Sequence, residues 1–340
     1  MTATNSAAWL PSPKTKPLSI QPAPYTPPGP NELLIRNAAV AINPIDWHLQ
    51  TKATFPLTYP TILGHDVAGT VAEVGSSVTN FKPGDRVLAH AMSMATQRPQ
   101  DGAFQLYTTV LENVAARIPG SLGFEEAVVL PLGLSTAAAG LFQRDFLGLG
   151  LPSVEPVKTG KTVLVWGGAS SVGMNAIQLA VAAGYEVVTT ASPRNFDLVR
   201  SLGASVVFDY RIGTVVGDLV TALKGKELAG VYDTIHTGGA LQNCLAVLDK
   251  LQTRVIVVTV WPVSEDLKTD VEVKFVYATS IKDNEVGGAV YNDYLPQALE
   301  KGKFVAAPAP RMAGKGLEAI QMGIDEWGKG VSAEKIVVSL

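Results

Sequence analysis

One cysteine, Cys244, stands in a chain of 340 residues. A single thiol excludes an intramolecular disulfide framework and a four-cysteine structural zinc lobe, and it fits a reducing, cytoplasmic setting. Charge of one sign is equally scarce. The formal net charge is -3 with no basic block, so the chain lacks an electrostatic footprint for nucleic acid or an anionic membrane, and neither partner is expected. Long apolar runs are missing too, because Gly, Ser and Asn interrupt them. The start, with Thr2, Thr4, Asn5 and Ser6 before repeated prolines, has no basic-then-apolar pattern, so no targeting or membrane segment is expected. No repeat of fixed period is evident. What is present, 47% hydrophobic and 17% charged residues, is a globular composition with length enough for two domains.

Against these absences one run stands out, Lys161 to Ser192, KTVLVWGGASSVGMNAIQLAVAAGYEVVTTAS. Val163, Leu164 and Val165 suit a strand buried on both faces of a parallel sheet. Gly167 and Gly168 permit backbone angles that a β-carbon opposes. Helical spacing follows through Ala176, Leu179, Ala180 and Ala183, so that free amides at the helix start can face a pyrophosphate, while Gly173 lets helix and strand approach. Set as G-x-G-x-x-G on Gly168, Ser170 and Gly173, the motif lacks its middle glycine. An ordinary βαβ unit without ligand is the alternative.

The second strand of that unit ends without the Asp or Glu that an enzyme of the unphosphorylated cofactor places about 20 residues beyond the glycines for the ribose hydroxyls. Ala191, Ser192, Pro193, Arg194 and Asn195 stand there instead. A hydroxyl, a guanidinium and an amide can donate to a 2′-phosphate that a carboxylate would repel, which favours NADPH over NADH. Arg194 as a solvated helix-start residue is the competing reading.

From Leu33 to about Arg117 short β-rich runs alternate with turns. They include LLIRNAAVAIN, the stretch Asp66 to Val74, and KPGDRV, whose Pro83 and Gly84 make a turn before a strand. Phe124 to Phe142 reads as helical, and Asp145 to Gly160, rich in Gly and Pro, as a connector. Strands near Val163, Glu186, Val206, Val231, Val255 and Val273 alternate with helices, as a doubly wound parallel sheet requires. The final AEKIVVSL is a strand with no helix after it, and its return to the first domain makes that domain discontinuous. The fold class is therefore α/β: a doubly wound parallel Rossmann sheet over 126–289, plus a mainly β domain from 1–125 and 290–340.

These residues resemble the medium-chain dehydrogenase/reductase superfamily over nearly the whole chain. GHDVAGTVAEVG, Gly64 to Gly75, with KPGDRV, is similar to its N-terminal GroES-like catalytic domain. INPIDW, Ile42 to Trp47, is similar to its zinc-free quinone and enoyl reductase branch. Within the branch, LSTAAAGL (Leu134 to Leu141), ASPRNFDLVRSLGA (Ala191 to Ala204) and VFDY (Val207 to Tyr210) most resemble fungal trans-acting enoyl reductases and toxin-cluster oxidoreductases. The resemblance implies NADPH-dependent reduction of an activated carbon–carbon double bond in secondary metabolism. It implies cofactor contacts from Ser170, Ser171, Ser192, Arg194, Asn195 and Tyr210, with Val260, Trp261 and Val337 near the nicotinamide. Taken without the family, Tyr210 is as readily a ring capping a strand end.

Zinc-dependent relatives bind the ion through a cysteine near the place of Asn43, the His of a GHE motif and a second cysteine; only His65 is kept here, and no metal is expected. An unconventional set of His48, His65, Asp66 and His90 matches no spacing motif. Carbonyl polarisation then falls to hydrogen-bond donors. Thr136 is the first candidate, as a donor or as the N-cap of its helix. His48 is the second, standing where the fungal enzymes often carry lysine, a departure that points to a different acid or to a smaller molecule than a carrier thioester. Asn43 joins them, lining the pocket or bracing its loop with Asp46. His236, beside Gly238 and Gly239, is left between a cofactor contact and a loop cap. The partners implied are a small-molecule or carrier-bound enoyl substrate and a synthase, for a monomer or homodimer. A quinone or carbonyl reductase and a non-redox NADPH-binding protein are the other readings.

Overall fold

Alternation of apolar strands with helices sorts the chain into two compact units in a computed structural model, which describes residues 4–340; Thr2, part of the start read above, lies outside them. One unit is Met1–Leu132 with Tyr291–Leu340, the other Gly133–Val290. The sequence boundary at 125/126 falls short of the observed one. The chain stays with the β-rich unit through Leu132, whose N–H donates to the buried Asp66 carboxylate at 2.6 Å.

In the second unit six parallel strands run in the order Val206–Asp209, Glu186–Ala191, Lys161–Trp166, Glu227–Asp233, Val257–Thr259, Val273–Phe275. The central strand is buried from Thr162 onward because helices cover both faces, which explains its unbroken apolar run. The order reverses beside that strand, and ligands of such sheets bind outside the carboxyl ends at this switch point. The helix Ser171–Ala182 follows the glycine turn. A core of Leu164, Val188, Leu219, Val231, Val247 and Val257, with neighbours, fills the space beneath helices Val215–Leu223 and Ala240–Leu251.

The first unit is built on the strand Glu32–Ala41, which pairs antiparallel with Asp66–Val74, Tyr107–Leu111 and the last strand, Glu334–Ser339. The return of that last strand puts Val337 beside Ala41 and Val338 beside Val40. A turn at Gly84, φ +95°, feeds the strand Arg86–His90, as its Pro-Gly signal indicated. A smaller three-stranded sheet adds Asn5–Leu10, Ser19–Ala23 and Thr61–Ile62. The apolar stretch Phe124–Phe142 is 78% buried within the protein. It comprises two helices, Phe124–Ala127 and Pro131–Phe142, and among the described residues no other helical stretch is as long and apolar.

Candidate functional site

The glycine turn has the close contacts that its sequence demands. A β-carbon on Gly173 would lie 2.2 Å from the Gly167 carbonyl oxygen, and one on Gly168 would lie 2.3 Å from Thr189 Oγ1, so neither position tolerates a side chain. Gly167 itself takes φ +89°. The missing middle glycine is explained by Ser170. Its φ of -78° needs no glycine, and its Oγ accepts from Gly173 N at 2.9 Å, capping the helix. Thr234 Oγ1 is 2.9 Å away and donates its proton to the Trp166 or Gly167 carbonyl, so Ser170 donates to Thr234. The Ser170 proton and one of its two acceptor positions are thus engaged within the fold. What remains for an anion is the open amide end of the helix, beginning at Ser171.

The strand ends beside this turn carry the residues read for cofactor choice. Ala191 pairs with Asp209 across neighbouring parallel strands, so Ser192, Arg194 and Asn195 emerge next to Tyr210. Asn195 Nδ2 donates to Ser192 Oγ at 3.1 Å. Arg194 is exposed and, among the described residues, makes no ion pair; Tyr210 is 47% exposed. The nearby carboxylate of Asp209 is engaged by Arg211 through two 2.9 Å bonds, which hold its carboxyl below the usual range and offset its charge. Val260 and Trp261, half-buried, follow directly after Val257–Thr259 at the same carboxyl end.

Thr136 lies in the second turn of Pro131–Phe142, not at its start, so the N-cap reading is corrected: Pro131, which fits a first-turn position, opens the helix earlier. Gly133 sets the approach of this helix to the nucleotide helix, since a β-carbon there would meet Asn175 Nδ2 at 3.0 Å and Ser171 O at 3.2 Å. Gly140 makes room for Tyr232, whose hydroxyl donates to the Thr136 carbonyl at 2.6 Å. The Thr136 side chain is 8% exposed.

In the β-rich unit the place of a zinc ligand set is taken by a buried polar network. Lys335 Nζ lies 2.8 Å from Asp66 Oδ2 and donates to Asn43 Oδ1, while Asn43 Nδ2 donates to the same Asp66 oxygen at 2.7 Å. Asp46 accepts from the Asn43 and Gly64 backbone and lies 3.0 Å from His65 Nδ1. Asn43, 2% exposed, braces the loop, one of the two roles its sequence position allowed. An amide where zinc-dependent relatives carry cysteine, with the Lys335 ammonium bonded to it, does not fit a zinc ion, which that charge would repel. No group of three His, Cys, Asp or Glu is placed for a metal among the described residues. Val337 is fully buried in its sheet, paired with Ala41.

His48, half-buried, stacks edge-on against Trp47 at 5.1 Å, and burial followed by the Lys52 charge lowers its pKa from 6.5. Sequence reading missed Lys335, Asp233 and Thr234. Asp233 is fully buried and desolvation raises its pKa, yet its Oδ1 accepts from the backbone of Ile235 and His236. Only its place at a strand end signalled it.

Two family models match the chain: the alcohol dehydrogenase GroES-like domain over residues 29–137 and zinc-binding dehydrogenase over residues 171–301. The zinc-binding alcohol dehydrogenase domain-containing protein cipB of Emericella nidulans is 50% identical over 336 residues, 99% of this chain and 98% of the relative. Trans-enoyl reductase himH of Aspergillus japonicus is 44% identical over 338 residues, 99% and 97% of the two chains. Among solved structures, an alcohol dehydrogenase superfamily protein from Novosphingobium aromaticivorans superposes with a TM-score of 0.79 at 25% identity, covering 99% of this chain and 100% of its own.

Proposed function

The chain belongs to the medium-chain dehydrogenase/reductase superfamily of NAD(P)-binding oxidoreductases, and from that premise we propose that it reduces an activated carbon–carbon double bond with NADPH and without a metal, in fungal secondary metabolism. The observation that carries the cofactor choice is the end of the strand Glu186–Ala191. There Ser192, Arg194 and Asn195 follow one strand and Tyr210 its parallel neighbour, while the carboxylate of Asp209 is engaged by Arg211. The double-bond reading draws on the relative named a trans-enoyl reductase.

When bound, the nucleotide supplies a hydride. The protein's part is to hold the pyrophosphate at the amide end of Ser171–Ala182, fix the 2′-phosphate with Arg194, and donate to a substrate carbonyl oxygen as charge develops on it. Thr136 offers a hydroxyl on the helix packed against Ser171. His48, in the β-rich unit, is the second candidate donor, and water supplies the proton for the substrate α-carbon. The substrate is a small enone or a carrier-bound enoyl group. The enzyme acts in the cytoplasm, as a monomer beside a synthase or as a homodimer.

Turnover with NADPH deuterated at C4 over an enone and enoyl-thioester panel tests this reading. Label at the β-carbon of the product is expected. Label found only at a carbinol carbon makes the protein a carbonyl reductase.

A further inference from the structure

The helix Pro44–Lys52 of the β-rich unit carries Trp47 and His48 side by side, and the helix Ala319–Trp327 of the same unit ends against them. All three rings, Trp47, His48 and Trp327, are half-buried. The His48 ring meets that of Trp47 edge-on, with centroids 5.1 Å apart and planes at 87°, and it lies 6.1 Å from that of Trp327. The two indoles are themselves 5.8 Å apart, so the imidazole stands in a corner made by two aromatic rings. These separations fall in the range over which the positive edge of one ring and the negative face of another attract.

Nothing in the imidazole itself selects this orientation. The χ2 torsion of histidine is broad, and turning the ring over exchanges the places of two chemically distinct nitrogens. Its neighbours make the selection instead. Gln50 and Gln321 exchange side-chain hydrogen bonds at 2.7 and 3.2 Å, which fixes the two helices against each other. At Gly328, directly after Trp327, a β-carbon would lie 2.5 Å from Trp47 Nε1, so the missing side chain is what lets the Trp47 indole close over the helix end. Lys52 Nζ covers the same indole, 5.6 Å from its centroid. Trp47 is thereby held, and Trp327 is the ring that a second helix brings to His48.

We propose that Trp327 is a positioning residue for His48, its indole, backed by Trp47, fixing the direction in which the imidazole donates to the substrate carbonyl oxygen. The inference rests on the donor reading of His48 above. Steady-state kinetics of the full chain, with NADPH and the substrate turned over fastest in the deuteration panel, test it in Trp327→Leu, Trp327→Phe, Gly328→Ala, His48→Ala and the double variant His48→Ala/Trp327→Leu. Trp327→Leu lowers kcat roughly two- to tenfold, the worth of an aromatic pair, with KM nearly unchanged because the donor acts as charge develops. Trp327→Phe keeps a ring edge and recovers most of the rate. Gly328 has φ -60°, which alanine adopts, so Gly328→Ala acts by displacing the Trp47 indole and shows a loss of the same kind. In the His48→Ala background Trp327→Leu costs nothing more. Proton NMR of histidine-labelled wild type gives a reading that needs no variant at position 327. The His48 ring protons, identified by their loss in His48→Ala, are shifted by the ring currents of the two indoles. Equal losses from Trp327→Leu with and without His48 show a merely structural contact and overturn the inference alone. Full activity in Trp327→Leu, or His48 protons at solvent-exposed positions in wild type, overturns it as well. Wild type that reduces no enone or enoyl thioester removes the functional reading and this inference with it.

Discussion

Replacing Lys335 by methionine removes a charge while keeping most of the side-chain volume, so the result reads electrostatics and not a cavity. Lys335 is 3% exposed and Asp66 0%, and removing one partner of such a buried pair costs about 3–5 kcal/mol because the other charge is left uncompensated. Asp66 would still accept from Asn43 Nδ2 at 2.7 Å and from Leu132 N at 2.6 Å. Those two donors place the expected loss at the low end, about 3 kcal/mol. Amide hydrogen exchange of the strands Glu334–Ser339 and Asp66–Val74 reads it locally. Where exchange follows the opening equilibrium, a loss of that size speeds it about two orders of magnitude. Adding Asp66→Asn to Lys335→Met removes the orphaned charge and should restore much of the protection. A Lys335→Met effect below about tenfold, equivalent to about 1.4 kcal/mol, or a double variant no slower than the single one, refutes the account of this pair.

Two further outcomes follow from the same reasoning. Arg194→Ala should lower the ratio of kcat/KM for NADPH over NADH by roughly tenfold or more, the worth of a charge-assisted hydrogen bond; an unmoved ratio returns Arg194 to a merely solvated role. His90 is fully buried, and burial, then the charges of His65 and Lys335, hold its pKa well below 6.5. Its folded pKa lies below the unfolded one, so the unfolded chain takes up the extra proton first. Stability is full above pH 6.5 and falls below it by about 1.4 kcal/mol per pH unit until His90 protonates in the fold. Urea unfolding between pH 7.5 and 5.5 checks this, with His90→Asn expected to show a shallower slope and equal slopes counting against it.

Local patterns carried most of the fold. Val163 to Val165, the glycines at 167, 168 and 173, and the Pro-Gly turn before Arg86 each constrain their own backbone, and a strand or a tight turn is decided within a few residues. The terminal strand was legible because AEKIVVSL has no helix after it to continue the αβ alternation. Thr136 was placed at a helix start because nothing in LSTAAAGL shows that Pro131 opens the helix earlier. Asn43 was left between lining the pocket and bracing its loop because its neighbours in space, Asp66 and Lys335, are distant in sequence.

By itself the sequence determined a βαβ nucleotide unit, a strand end free of the usual ribose-binding carboxylate, and a β-rich partner domain, since backbone geometry and charge type are written into neighbouring residues. Tertiary structure alone decided what each polar side chain is used for. Asn43 and Lys335 are 292 residues apart in sequence, and Ser170 and Thr234 are separated by 64. Whether a buried donor is spent or left open depends on partners that only folding brings within hydrogen-bond distance.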